Sequence, residues 1–521
     1  MPTLIDFAER APDRPAVIYG NGETVETYGE LERRSRRIAH LLRARGLEEG
    51  DGIAVMLGNA DEFFDLYWAA ARIGLYFTGV NWHLSPSEVQ YIVKNSDAKV
   101  LVASAQFGKV AAEAAQGAPL LAHRISCHGD IEGFQRFEEV LADIPEDAPL
   151  DDQREGAQML YSSGTTGQPR GVRQPLPQKP FGDPALDLVT LAFASFFGFA
   201  EGDRYLCPAP LYHAAPLVFS ALQHRLGTTC VIMRRFDAED ALRTIQDQKI
   251  STSQWVPTHF KRLLQLPEAR RARYDTSSLR VAVHAAAPCP IPVKRSMIDW
   301  WGPVLVEYYA GTEGGGTLIR SDEWLQKPGS VGKHWAGGEV FVLDEEGTPV
   351  GEPSKEGAIY FPANPDPEAR FKYYKDDEKT ASSYQGDMFT LGDIGYVDED
   401  GYLFLTDRQS NMIISGGVNI YPQETENCLL ANPKVHDVAV IGVPNDEMGE
   451  EVKAVVIPAD GVDAGPELES ELIEHCRAEI AHYKCPRSID FATDLPRTET
   501  GKLQKRRIKH QYWKDRESLI S

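Results

Sequence analysis

Paired cysteines are missing from this sequence: Cys127, Cys207, Cys230, Cys289, Cys428, Cys476 and Cys485 stand singly, with no CxxC step among them. Such spacing supports neither a disulfide framework nor a thiolate zinc site. Positive charge is also short, with 54 Lys and Arg against 77 Asp and Glu and a formal net charge of −23. Binding a phosphate backbone needs a dense basic face, so nucleic acid is excluded as a partner. The one basic run is Lys502, Lys505, Arg506, Arg507 and Lys509, and its last four members read as a solvated helix face. No apolar stretch approaches the roughly 20 residues that span a bilayer. The opening MPTLIDFAERAPD carries acids early where a leader would be basic and then apolar. These absences together predict a protein of the reducing cytoplasm, with no integral membrane segment. The common phosphate-loop pattern GxxxxGK[ST] is absent too, since Gly501 and Lys502 are followed by Leu503.

What is present is ordinary globular composition, 42% hydrophobic and 25% charged over 521 residues, enough to bury several packed units. Thr27 and Glu30 form a capping box, and Leu31, Ile38, Leu41 and Leu42 share one face before Gly46, which predicts a helix. Ile53–Leu57 and Lys99–Ala103 read as strands and Asp61–Ile73 as a helix. The alternation continues through strands at Arg204–Pro208 and Thr229–Met233, a helix at Ala238–Gln248 and a strand at Leu279–Ala285. It predicts parallel sheets covered by helices. Near Asp400 a Gly/Asp-rich hairpin, VDEDGYLFLTDR, changes the pattern. Strands at Val438–Val443 and Lys453–Ile457 and a helix at Glu467–Ile480 follow. The fold class is α/β, with a large multi-lobed unit over 1–406, a junction at 407–411 and a small α+β unit over 412–521.

The richest local pattern is YSSGTTGQPRGV, Tyr161 to Val172. Ser162, Ser163, Thr165 and Thr166 offer hydroxyls, while Gly164 and Gly167 let successive amides converge on an anion. A Ser/Gly linker has the same letters. Met159 and Leu160 run directly into the segment and Pro169 and Arg170 follow, which favours a strand entering a turn. Downstream, YYAGTEGGG places Tyr308, Tyr309, Thr312 and Glu313 beside a glycine run. An aromatic stacks on a purine and a carboxylate beside phosphates holds magnesium, although a capped turn explains the letters equally simply. His213, Trp255, Asp393 and Arg408, taken singly, fit a structural histidine, core packing, a turn and a surface cation.

Taken in order, these segments resemble the adenylate-forming superfamily of acyl-CoA synthetases, luciferases and peptide-synthetase adenylation domains. WLQKPGSVGK and LYHAAP are most similar to bacterial fatty-acid and steroid-carboxylate CoA ligases. The resemblance implies that Ser162, Ser163, Gly164, Thr165, Thr166, Gly167 and Arg170 cradle the ATP phosphates. Arg170 stands where the family usually has lysine. It further implies nucleotide contacts from Ala286, Ala287, Pro288, Tyr308, Tyr309, Thr312, Asp393 and Arg408, and a magnesium ion on Glu313 and Thr165. His213, Trp255, His284, Ala285, Ala310 and Gly311 are implied as the acyl pocket, with Ala310 replacing a glycine. Gly416 and Gly417 are implied along the coenzyme A tunnel and Ser410 at a hinge.

LPRTETGKLQKRR resembles the family's C-terminal lysine motif, which implies that Lys502 bridges the substrate carboxylate and the α-phosphate. The expected reaction makes an acyl adenylate from ATP and a carboxylic acid, then hands the acyl group to coenzyme A. The acid expected is a medium- or long-chain fatty acid, or a bulky steroid-like or aryl carboxylate. Catalysis is implied to rest on Lys502, Glu313 and Thr165, with the small unit turning between steps. A homodimer is compatible with the resemblance. Two alternatives are transfer to a carrier-protein thiol and a ligand-binding homologue without activity. Lys502 and Glu313, both present, disfavour the latter.

Overall fold

Thr27 starts the first long helix as its sequence demands. In the computed structural model, which describes residues 4–162, 169–287, 289–344, 346–408, 411–415, 418–445, 448–497 and 503–513, the Thr27 hydroxyl accepts from the Glu30 amide. The Glu30 carboxylate reciprocates on the Thr27 amide. The helix Tyr28–Ala44 buries Leu31, Ile38, Leu41 and Leu42 on one face. The same reciprocal cap, Ser85 with Glu88, begins Pro86–Asn95, a helix that the sequence reading passes over.

Three sheets organise the chain. The first runs, in spatial order, Lys372–Tyr373, Arg170–Arg173, Ala157–Ser162, Tyr76–Gly79, Gly52–Met56, Ala98–Ser104, His123–Cys127 and Gln135–Arg136. From Ala157–Ser162 onward its pairs are parallel, and Arg170–Arg173 turns back antiparallel. The second sheet has a parallel half of Pro15–Tyr19, Thr229–Ile232, Arg204–Cys207, Thr252–Trp255, Val281–His284 and Leu305–Gly311. Its other half is antiparallel, from Gly314–Arg320 through Ser330–His334, Leu403–Arg408, Met388–Val397 and Gly357–Pro362 to Phe341–Leu343. Strand–helix alternation predicts only the parallel half.

Leu403–Arg408 is still paired in the second sheet, whereas Ile413–Ser415 already pairs in the third with Val418–Ile420 and Gly449–Pro458. The third sheet is completed by Val435–Asn445 and Ser488–Phe491, with helices Pro422–Ala431, Pro466–Glu479 and Lys505–Trp513 around it. Two cations of the basic tail are not freely solvated as expected. Lys505 lies 2.9 Å from Glu426 and Lys509 lies 2.6 Å from Glu450, because the helix Lys505–Trp513 docks on this sheet through buried Ile508. Among the described residues no helix is long and apolar enough to cross a membrane. All seven cysteines are free.

The strand Leu305–Gly311 positions the site. Successive side chains of a strand leave opposite faces. Val306 and Tyr308 therefore join the core shared with the first sheet, while Leu305 packs with Trp255, Phe260 and Trp324 on the other side.

Candidate active site

Both ends of the hydroxyl- and glycine-rich segment are held in one hairpin, with Ser162 opposite Arg170 and Tyr161 opposite Gly171. The pairing is close, since a Cβ on Gly171 would stand 2.5 Å from Met159 Cε and 3.0 Å from the Tyr161 ring. Tyr161 is tied outward by its hydroxyl to Asn95 Oδ1 at 2.7 Å. Ser163, Gly164, Thr165, Thr166 and Gly167 lie outside the described residues, as does the side chain of Ser162.

A second hairpin brings Glu313 to the same region. Leu305–Gly311 and Gly314–Arg320 pair antiparallel with Gly311 opposite Gly314, which puts Thr312 and Glu313 at the tip. The glycines that follow are needed there. Gly315 and Gly316 have φ of 70° and 152°, and a Cβ on them would collide with Phe361 at 2.7 Å and Trp335 at 2.3 Å. Glu313 Oε1 accepts from the Tyr373 hydroxyl at 2.6 Å, and its carbonyl accepts from Gln174 Nε2 at 3.4 Å. Tyr373 sits on the strand edge-paired to Arg170–Arg173, and the Arg170 guanidinium carbon stands 6.0 Å from its ring centre. Burial raises the Tyr373 phenol, and the Glu313 charge adds to the shift. Lys379, on the helix Asp377–Ser382, is half-buried. Burial and then the Arg170 charge pull its ammonium below the ordinary lysine value, against the opposing fields of Asp376 and Glu313. Tyr373, Gln174 and Lys379 were not read from the sequence, and no local signal marks them, since long-range pairing brings them here.

Tyr309 and Asp393 also meet: the phenol donates to Asp393 Oδ2 at 2.6 Å, and Asp393 is 6% exposed. Asp393 stands opposite Arg408 across Met388–Val397 and Leu403–Arg408, so the two residues expected at the ribose share one rung. Tyr308, grouped with Tyr309 in the sequence reading, is corrected by strand alternation. It leaves the other face, stacks on Phe219 at 5.5 Å, meets Phe197 edge-on at 5.6 Å, and its hydroxyl accepts from Gln254 Nε2 at 3.3 Å.

Partly buried Ala214, Val218, Ala310, Leu318 and Trp335 pack on the core that holds the Phe197, Phe219 and Tyr308 rings, with Trp335 6.5 Å from Phe197. Leu318 is the cross-strand partner of Tyr308. His213 opens the helix Ala214–Arg225, its ring 4.4 Å from that of Tyr212. Ala285 is buried and Ala287 half-buried, and Ala286 holds a φ of 77°. A side chain on Gly311 would displace its neighbours, because a Cβ there would lie 2.5 Å from Leu391 Cδ2 and 2.6 Å from Glu313 Oε2.

Trp255 and His284 do not join this group. They align in one row with Glu307 across three strands and face the opposite core, where Trp255 donates to Ser253 Oγ at 2.7 Å and packs 5.3 Å from Trp301. His284 is fully buried, with its Nε2 3.9 Å from Glu307, which is itself paired with buried Lys294 at 2.5 Å. Burial first and the Lys294 charge second hold His284 neutral. The acyl-pocket expectation for these two is thus redirected by the same alternation.

Pro288, Ser410, Gly416, Gly417 and Lys502 lie outside the described residues. Their flanks are ordered: Ser415 pairs with Val418, and Arg497 bridges Leu503 while the Gln504 amide donates to Pro496 O at 2.8 Å. Arg497 also grips Asp437 through Nε at 3.0 Å and a terminal nitrogen at 2.8 Å.

Against known proteins, residues 4–363 match the family model described as AMP-binding enzyme, and residues 424–502 match the AMP-binding enzyme C-terminal domain. The chain is 30% identical over 512 residues to the long-chain-fatty-acid–CoA ligase FadD13 of Mycobacterium tuberculosis, covering 96% of each. It is 33% identical over 512 residues to a feruloyl-CoA synthase of an Amycolatopsis species, covering 97% of each. Its structure is similar to o-succinylbenzoate CoA synthetase of Bacillus subtilis bound to an acyl-adenylate intermediate, with a TM-score of 0.80, 26% identity and 98% of both chains covered.

Proposed function

Since this chain belongs to the AMP-binding enzyme family and is an AMP-forming acid–thiol ligase, we propose that it activates a hydrophobic carboxylic acid with ATP and passes the acyl group to coenzyme A. One juxtaposition supports this most directly. The hairpin ends at Ser162 and Arg170, the tip carboxylate of Glu313 and the Tyr309–Asp393 pair all converge beside apolar side chains packed on an aromatic core. Polyphosphate, ribose and acyl ligands each have residues of matching chemistry there.

A carboxylate cannot expel oxide toward a thiol at neutral pH, whereas an acyl adenylate leaves AMP. In the first step, the substrate carboxylate attacks the α-phosphorus in line. The hydroxyls and amides of the 162–167 segment, Arg170 and Lys379 accept the charge of the separating pyrophosphate. Tyr309 stacks on the adenine, Thr312 bonds near the α-phosphate, and Asp393 with Arg408 holds the ribose. Lys502 swings in to bridge the carboxylate and phosphate. In the second step, the coenzyme A thiol reaches the carbonyl past Gly416 and Gly417 after the small unit turns about Ser410.

No cluster of three or more His, Cys, Asp or Glu suited to a metal exists among the described residues. Magnesium is commonly bound through one or two carboxylates and substrate phosphates. Glu313 and the Thr165 hydroxyl would hold it, and when bound it supplies charge neutralisation to the phosphates. Tyr373 occupies Glu313 Oε1, so Oε2 is the oxygen that fits this role.

The acid proposed is medium- or long-chain, or a bulky aryl or steroid-like carboxylate, lying along Ala214, Val218, Ala310, Leu318 and Trp335 with His213 at the edge. Pyrophosphate release measured across short, long, aromatic and polycyclic acids, with thioester formation followed by mass, tests both levels. The activity reading fails if no acid yields an adenylate or thioester. The substrate reading fails if only short polar acids do.

A further inference from the structure

We propose that Tyr373 is the positioning residue for Glu313, fixing one carboxylate oxygen so that the other is presented to the metal and polyphosphate. This rests on the reading of Glu313 as the metal-side acid.

The contact is short and directional, 2.6 Å from the Tyr373 hydroxyl to Glu313 Oε1, between residues 60 apart in sequence. A donor this well placed leaves the carboxylate little freedom to rotate. Among the described residues none donates to Oε2, which lies on the Gly311 side, 2.6 Å from where a Cβ on that glycine would be. Tyr373 is held as well as holding. It is 6% exposed, packs edge-on to Phe371 at 5.6 Å, and its amide donates to Thr380 Oγ1 at 3.0 Å. Its strand pairs with the one leaving the hydroxyl-rich hairpin, Tyr373 opposite Val172. Arg170 stands over the same ring. One phenol thus ties the acidic hairpin tip to the strand that carries the cation, and the separation of those two charges is set by the fold.

Tyr373→Phe keeps the ring and removes the hydroxyl. Half-saturating magnesium for pyrophosphate release is expected to rise about 10-fold, with turnover at saturating metal changed by no more than about threefold. Mn²⁺ binding in the presence of a non-hydrolysable ATP analogue, read by electron paramagnetic resonance, is expected to weaken by a similar factor. Thr380→Val, which loosens Tyr373 without touching Glu313, is expected to act in the same direction and serves if the first variant folds poorly. Glu313→Gln separates the two readings. If it shifts metal dependence while both Tyr373→Phe and Thr380→Val leave it unchanged, the positioning role is overturned and the acid's role stands. If Glu313→Gln itself leaves Mn²⁺ binding unchanged, the underlying reading of the acid falls.

Discussion

Ala286 holds a φ of 77°, a conformation that costs a residue bearing a Cβ about 1–2 kcal/mol. Glycine relieves that strain but loses more chain entropy on folding, so Ala286→Gly is expected to stabilise by about 0.5–1 kcal/mol in a denaturant titration. A loss of stability would show that the methyl group makes a contact worth more than the strain. At Tyr308 the opposite holds. Its ring is 8% exposed and wedged on Phe219 and Phe197, so Tyr308→Ala is expected to cost about 3–5 kcal/mol. The same variant deepens the apolar surface, and comparing kcat/KM across acids of increasing length should show preference moving to longer ones. By resemblance the letters YYAGTE give Tyr309 to the adenine, but they do not reveal that Tyr308 leaves the opposite face of its strand. That depends on strand phase, which a short aromatic run leaves open.

At the scale of elements, the helix Glu62–Ala71 carries Asp65 wholly into the core beside Glu26 of the strand Thr24–Thr27. Burial drives Asp65 up to about 6 despite Arg34 at 2.8 Å, and drives Glu26 up as well, with Asp65 adding to it. A folded-state value above the unfolded one means that the native form binds more protons. The pair's contribution is therefore most favourable below about pH 4 and declines as pH rises through about 6. Asp65→Asn is expected to flatten the dependence of melting temperature between pH 4.5 and 7.5, and an unchanged slope would place the titration elsewhere. Elements with their own start signals were legible, as Thr27 with Glu30 shows. Ser85 and Glu88 give an equally clear start signal for Pro86–Asn95. The antiparallel half of the large sheet was not legible, because Met388–Val397 finds Gly357–Pro362 and Leu403–Arg408 by long-range pairing. Hence Tyr309 and Asp393 are each matched by resemblance, but their contact with one another is not, since long-range pairing makes it.

Across the whole molecule, the third sheet touches the helix Pro257–Gln265 through Lys261, whose ammonium lies 3.7 Å from Asp437. Partly exposed pairs of this kind contribute about 0–1 kcal/mol, so this contact adds little resistance to the rotation proposed above. Lys502→Ala is expected to abolish adenylate formation while sparing thioester formation from a preformed acyl adenylate, measured as separate half-reactions. Loss of both would count against a lysine that withdraws between steps.

The seven-residue strand Leu305–Gly311 has one further consequence. Its odd and even positions face different neighbours, Tyr309 bonding to Asp393 and Tyr308 packing on Phe219 and Phe197, which under the proposed function divides nucleotide from acyl group along one strand. On that reading, substitutions at alternate letters of one short word are expected to change which acid is accepted while leaving the energy-spending step intact.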